Sequence, residues 1–156
     1  MLRQLGQKNI KENWKEYKVH IEKAFVSTPG GNVINSGGPQ DTYKVIYKQL
    51  MDPHNKTTHL WVDDAKNYLI LTQIQKCMYT GKKTLLITSQ TRFKKTNSKT
   101  SKQIYLDIHN TIGKFAKENQ CVGMYAYSDL DYFAKMAKET YEWSKVITRY
   151  QFYFPL

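Results

Sequence analysis

A chain of 156 residues that is 40% hydrophobic and 13% aromatic holds enough apolar material for one packed domain over residues 1–156. Its 24 lysines and arginines outweigh 13 acids, for a net charge of +11, so a polyanion is the expected partner class. No apolar run approaches the ~20 residues of a membrane span, and Met1 to Lys11 is polar and basic, without the apolar stretch of a secretory signal.

Ile10 to Phe25 is the first predicted helix, because Trp14, Tyr17, Ile21 and Ala24–Phe25 recur at helical spacing and leave lysines and glutamates opposite. Ser27 to Gln40 carries Pro29, Pro39 and two Gly-Gly pairs and reads as a loop; no strand precedes it, as a phosphate-binding loop would require. Asp41 suits the N-cap of a second helix, Thr42 to Met51, stopped by Asp52–Pro53. The period then changes from helical to alternating. Thr58–Asp63, Tyr68–Cys77 and Lys83–Thr91 read as three strands joined by short turns, which predicts an antiparallel meander.

After a basic loop, Arg92 to Ser101, the stripe Ile104, Ile108, Ile112 and Phe115–Ala116 predicts a helix ending near Asn119. Cys121–Tyr127 follows as a strand, and the intervening helix requires it to run parallel to Lys83–Thr91. Asp129 caps a last helix to about Tyr141, and Lys145–Phe154 closes the chain as a strand. Cys77 and Cys121 have no CxxC pairing and no histidine at ligand spacing, and are expected to be reduced core thiols of a cytoplasmic protein.

The residues exclude several chemistries. There is no GxSxG, HExxH or Walker loop. His54 and His59 lie near Asp52, Asp63 and Asp64 but at no standard metal spacing. Only Arg3, Arg92 and Arg149 are arginines, and lysine is a point charge rather than a bidentate base reader, so sequence-specific DNA reading is not expected. From Ala65 through Leu106 there are nine cations (Lys66, Lys76, Lys82, Lys83, Arg92, Lys94, Lys95, Lys99, Lys102) and no acid or histidine. That run is expected to form one positive face that attracts phosphate and disfavours a cationic amine. Tyr68, Tyr79, Tyr125 and Tyr127 beside these lysines are the candidates for a stacking surface on single-stranded nucleic acid.

The order α-α-β-β-β-α-β-α-β, with "HLWVDD" at His59–Asp64, "TQIQKC" at Thr72–Cys77, "KKTLLITS" at Lys82–Ser89, "FAKENQC" at Phe115–Cys121 and "YSDLDYFAKMAKETY" at Tyr127–Tyr141, resembles the GNAT acyltransferase family. The likeness runs from about Ile10 to the C-terminus and is closest to the small GNAT-like proteins of bacteriophages. It implies an α/β fold in which an antiparallel meander runs into a βαβ unit, with helices on both faces of one mixed sheet. It also implies acetyl-CoA as cofactor, its pyrophosphate held at the loop before the central helix.

Three departures accompany the resemblance. The family's glycine-rich phosphate loop is here Arg92–Ser101, which has no glycine. Lys94, Lys95, Lys99, Ser101 and Lys102 are the residues left to hold phosphate, by charge and at the helix N-terminus. The family's carboxylate base on the central strands has no counterpart; Asp63, Asp64 and Glu139 remain, and nothing singles one out. The family's tyrosine acid on the last helix aligns with Met136 or Lys138, with Tyr132 and Tyr141 flanking. Catalytic residues are therefore not assigned. Two functions stay open: an N-acetyltransferase, and a non-catalytic phage or virion-associated member whose basic face meets nucleic acid or an acidic partner protein.

Overall fold

The computed structural model describes residues 1–26, 39–93 and 98–126. The predicted loop from Ser27 to Gln40 lies outside them except for Pro39 and Gln40, which are helical instead, and the predicted last helix and closing strand lie outside them as well. The described chain forms β1 (Leu2–Gln4), α1 (Gln7–Val26), α2 (Pro39–Met51), β2 (Thr58–Asp63), β3 (Tyr68–Lys76), β4 (Lys83–Arg92), α3 (Ser98–Glu118) and β5 (Cys121–Ala126). The five strands make one sheet in sequence order, antiparallel from β1 to β4 and parallel between β4 and β5. The predicted meander and the parallel return are both present.

Register assigns the faces, because residues directly opposite each other share one. Leu60 faces Leu71 and Val62 faces Leu69; these four pack with Tyr17 and Ile21 of α1 and Ile46 and Leu50 of α2. Trp61 faces Ile70, and both join Tyr68 and Leu85 under Ile108, Ile112 and Ala116 of α3. Alternation along β2 and β3 thus feeds two cores, one on each side of the sheet. Of the isoleucine stripe of α3, Ile112 is fully buried and Ile108 nearly so.

Several boundaries differ from the sequence reading. β1 is additional; its three residues are too few to show a period, and pairing with β2 (Leu2 opposite Asp63) creates it. α2 starts at Pro39, not Thr42, since proline's fixed φ suits a first helical turn. α3 starts at Ser98, so the basic loop is shorter than Arg92–Ser101: no glycine or proline in Ser98–Lys102 opposes winding the helix back. Cys77 is not a core thiol. It lies just past β3, exposed in the β3–β4 turn, while Cys121 is half-buried.

The turns carry their own logic. Lys66 between β2 and β3 has φ +48° and Gly81 between β3 and β4 has φ +67°, the left-handed conformation that tight hairpins need. Asp63 stabilises the first turn: its carboxylate accepts the backbone N–H groups of Asn67 and Tyr68, both at 2.7 Å, and the Asn67 side-chain amide at 2.9 Å.

One irregularity shapes the centre of the sheet. Thr72 lies opposite Ile87 but Leu71 opposite Ser89, so Thr88 is an extra residue on β4, a β-bulge. Beyond it the alternation of β4 is inverted. Gln90 and Arg92, opposite Ile70 and Tyr68, turn to the α3 side, and Phe93 turns to α1, its ring 4.3 Å from that of His20 and 6.3 Å from that of Tyr17.

Candidate functional site

The C-terminal half of β4 is where polar groups lack partners. Among the described residues, Thr88 Oγ1, Gln90 Nε2 and His20 Nδ1 are buried atoms with no hydrogen-bond partner. Each such group costs about 1–3 kcal/mol when left unpaired, so they mark a place built for something other than the apo fold. Thr88 and Gln90 owe their positions to the bulge. Described pairing with β5 runs from Lys83 opposite Cys121 to Ile87 opposite Ala126 and so ends one residue before it.

The predicted phosphate-holding residues divide. Lys94 and Lys95 lie outside the described residues. Lys99, Ser101 and Lys102 fall in the first two turns of α3, which begins six residues beyond the end of β4. Ser101 therefore does not start the helix, as the sequence suggested; it lies within it. A helix N-terminus following β4 puts unpaired backbone N–H groups and the positive end of the helix dipole at that end of the sheet.

Among the described residues, the cations Lys66, Lys76, Lys83 and Arg92 of this run do not form one face. Lys76 lies opposite Lys83 at the hairpin end of β3 and β4, whereas Arg92 lies opposite Tyr68 at the other end, beside the turn that holds Lys66. A ten-residue strand separates them, about 30 Å. The described cations of the run thus sit at opposite ends of the β3–β4 pair. The tyrosines do not form a platform either: Tyr68 is 1% exposed in the core, Tyr79 is 94% exposed at the hairpin tip, and the Tyr125 hydroxyl bonds the Gln75 carboxamide across β4. Tyr127 is outside the described residues.

Of the carboxylates considered as bases, the two that are described, Asp63 and Asp64, are committed elsewhere. Asp63 holds the β2–β3 turn. Asp64 pairs with Arg3 at 3.5 Å, and Glu139 is outside the described residues. His59 accepts from Gln4 Nε2 at Nδ1 and donates from Nε2 to the Lys56 carbonyl, both at 3.0 Å, with its ring 4.8 Å from that of Phe115. Burial holds this imidazole below its ordinary value. A groove of about 380 Å³ opens beside it, lined by Gln4, Gln7, Lys56 and Phe115 among others, at the end of the sheet away from the α3 N-terminus. His54 takes no part; its N–H bonds Asp52 Oδ1 at 2.8 Å. Among the described residues no three histidines, cysteines or acids gather as metal ligands, and no helix is long and apolar enough to cross a membrane.

His20 was invisible to sequence reasoning. On α1 it is one polar residue between Val19 and Ile21, and only the distant Phe93, re-aimed by the bulge, shows that it belongs to this corner. Burial and then the charge of Lys23 hold its imidazole below the ordinary value, with Glu16 and the Arg92 backbone opposing.

The sequence matches no protein-family model and no curated protein. Solved structures match the fold. An aminoglycoside acetyltransferase from an uncultured soil metagenomic sample, solved with sisomicin, is 12% identical over 100% of this chain and 95% of its own, with a TM-score of 0.60. Aminoglycoside N-acetyltransferase AAC(6')-Iy, solved with CoA, is 8% identical over 99% of this chain and 93% of its own, at 0.63. The aminoglycoside 6'-N-acetyltransferase AAC(6')-IG from Acinetobacter haemolyticus is 9% identical over 100% and 99%, also at 0.63. The fold is that of the GNAT acetyltransferases.

Proposed function

We propose that this chain binds acetyl-CoA and transfers its acetyl group to an amine. The observation that carries the reading is the bulge at Thr88, which leaves the Thr88 hydroxyl and the Gln90 amide buried and unpartnered beside the strand end that leads to α3. Neutral donors at that point suit the carbonyl and amide groups of an acyl-pantetheine arm. Lys94, Lys95, Lys99, Ser101 and Lys102, with the α3 N-terminus, supply positive charge for the pyrophosphate. In the transfer, the amine nitrogen bonds the acetyl carbonyl carbon, the carbon–sulfur bond breaks, and the proton lost by the nitrogen ends on the departing thiolate as the free thiol. Positioning of the two reactants supplies much of such a rate. The likeness to a transferase solved with CoA supports the cofactor class.

Calorimetric titration with acetyl-CoA tests this directly. The wild type is expected to bind, and Lys94→Ala/Lys95→Ala/Lys99→Ala to bind more weakly with a flatter salt dependence. No binding by the wild type overturns the reading, and unchanged affinity in the triple variant rejects these lysines as the phosphate site.

A second reading keeps the fold without turnover. It is favoured by the glycine-free loop and by the engagement of Asp63 and Asp64 in structural contacts. In that case the basic ends of the sheet bind nucleic acid or an acidic partner, such as a phage virion protein, without sequence preference and with steep loss of affinity as salt rises. Turnover of acetyl-CoA with any of a panel of amines overturns it.

A further inference from the structure

We infer that the groove at the start of β2 binds a small neutral polyol, its hydroxyls on fixed carboxamides and its C–H face against an apolar floor. The site is separate from the one proposed for acetyl-CoA. β3 lies between β2 and β4, and no residue of β4 or β5 lines the groove.

The groove exists because β1 stops short. β1 pairs only with Trp61, Val62 and Asp63. The Leu5 N–H then donates to the Leu60 carbonyl at 2.8 Å, and the chain turns at Gly6 into α1. Alternation along an antiparallel strand sends the backbone groups of Thr58 the same way as those of Leu60, into the gap beyond the last residue of β1. Helix ends border that gap: α1 begins at Gln7, α2 ends at Met51 and α3 ends at Glu118. The space is about 380 Å³, within the ~300–1,000 Å³ of small-molecule sites.

Its floor is apolar and its rim carries carboxamides. Leu5, Ile10, Leu50 and Leu60 line it and are all buried, with Phe115 beside them. Each of three carboxamides is anchored through one N–H. Gln4 Nε2 donates to His59 Nδ1 at 3.0 Å, Gln7 Nε2 to the Leu50 carbonyl at 3.4 Å, and Asn119 Nδ2 to the Phe115 carbonyl at 2.9 Å. His59 holds its place because its Nε2 donates to the Lys56 carbonyl at 3.0 Å. The three carboxamide oxygens take no hydrogen bond from the described residues, and each nitrogen keeps a second hydrogen.

That pattern selects the ligand. A carboxamide with its oxygen free and one N–H to spare offers both an acceptor and a donor, and adjacent hydroxyls answer both. An ammonium uses only the oxygens, and a carboxylate only the N–H groups. Charge favours neither ion. Asp52 and Lys56 both line the groove and cancel, and the negative ends of α2 and α3 are opposed by the positive start of α1. The buried floor, in turn, suits the C–H face of a sugar-sized ring.

The side-chain amide signals of Gln4, Gln7 and Asn119 in proton–nitrogen NMR spectra of the full-length protein report the site directly. The probe is methyl α-D-glucopyranoside, set against cyclohexylamine and cyclohexanecarboxylate, which carry a ring of similar size with a positive or a negative charge. The glycoside is expected to shift the three amides saturably, with a dissociation constant on the order of 1 mM, and the two ions to leave them in place. Gln7→Leu removes one carboxamide from an exposed first helical turn and is expected to weaken the glycoside about tenfold. Gly6→Phe blocks the groove: a Cβ at Gly6 meets nothing within 4 Å, so the ring enters open space, and saturable binding is expected to vanish. Gly6→Ser is expected to retain binding, since the Gly6 carbonyl accepts the first helical bond from Ile10 and serine suits that cap. No saturable shift with the glycoside, saturation by either ion, or affinity undiminished in both Gln7→Leu and Gly6→Phe overturns the polyol site. Acetyl-CoA does not enter this titration, so failure here leaves the acetyl-CoA reading standing, and failure of that reading leaves the groove standing.

Discussion

The Trp61 indole N–H donates to the Thr72 hydroxyl at 2.9 Å, wholly inside the protein, and Thr72 is the β3 residue at which the register with β4 slips. This bond ties the α3-side core to the bulge. Thr72→Val keeps the side-chain volume and strands the indole N–H, so it is expected to destabilise the fold by about 1–3 kcal/mol. Thr72→Ser keeps the acceptor and costs less. Urea denaturation of both variants gives the comparison; equal losses would show that packing, not the bond, carries the effect.

Gln90→Leu separates stability from binding. Removing a buried, unpartnered amide relieves a desolvation cost, so the free protein is expected to keep or gain stability, by up to about 1–2 kcal/mol. Its affinity for acetyl-CoA is expected to fall roughly tenfold, equivalent to ~1.4 kcal/mol. Thermal melts with and without acetyl-CoA check both signs in one experiment. Lower apo stability with undiminished acetyl-CoA affinity would show Gln90 to be a structural residue.

Asp63→Ala removes the acceptor for three donors in the β2–β3 turn. A loss of ~2 kcal/mol or more is expected, because two of those donors are backbone N–H groups left unpaired on a buried strand end. The measurement is the denaturation midpoint, with hydrogen exchange at Asn67 and Tyr68 reporting the local opening.

Gln120→Gly is expected to stabilise. Gln120 follows α3 with φ +62° and its N–H closes on the Lys117 carbonyl at 2.9 Å, the position where a helix end favours glycine. Relief of the left-handed strain outweighs the added freedom of the unfolded chain by about 1 kcal/mol. A higher melting temperature confirms it.

Stability is expected to rise with pH through the window just below 6.5. Burial holds both His20 and His59 below that ordinary imidazole value, so the unfolded chain binds more protons there than the folded one. Their contribution is complete above 6.5 and is lost as pH falls towards the depressed folded values. His59→Gln removes one titration and flattens the slope, measured as denaturation midpoints from pH 5 to 7.5.

Legibility in the sequence followed the length of the pattern. β3, β4 and α3 announced themselves, since β-branched alternation and an isoleucine stripe persist over nine residues or more. β1 has three residues and exists only because β2 offers an edge. The bulge hid in Thr88-Ser89-Gln90-Thr91, four small or polar residues whose alternation reads the same in either phase. With the bulge hidden, so were its consequences: Gln90 turned inward, Phe93 turned onto His20, and a lone helix histidine became part of a site. Charge counting failed for a related reason. Lys76 and Lys83 at one end and Arg92 at the other are separated by the length of β4, a distance that composition does not contain.

The change from antiparallel to parallel pairing at β4 also sets an order of events. β2, β3 and β4 are joined by tight turns and close with little loss of chain entropy, whereas β5 must wait for the whole span of α3 to be ordered before it can pair. The bulge belongs to the early meander, but the seam it borders is completed last. Amides of β5 are therefore expected to exchange through smaller openings than those of β3, with β4 between them. A strand that assembles late is also the one that parts most readily, so the side of β4 carrying the orphaned donors can admit an extended molecule while the meander behind it stays intact.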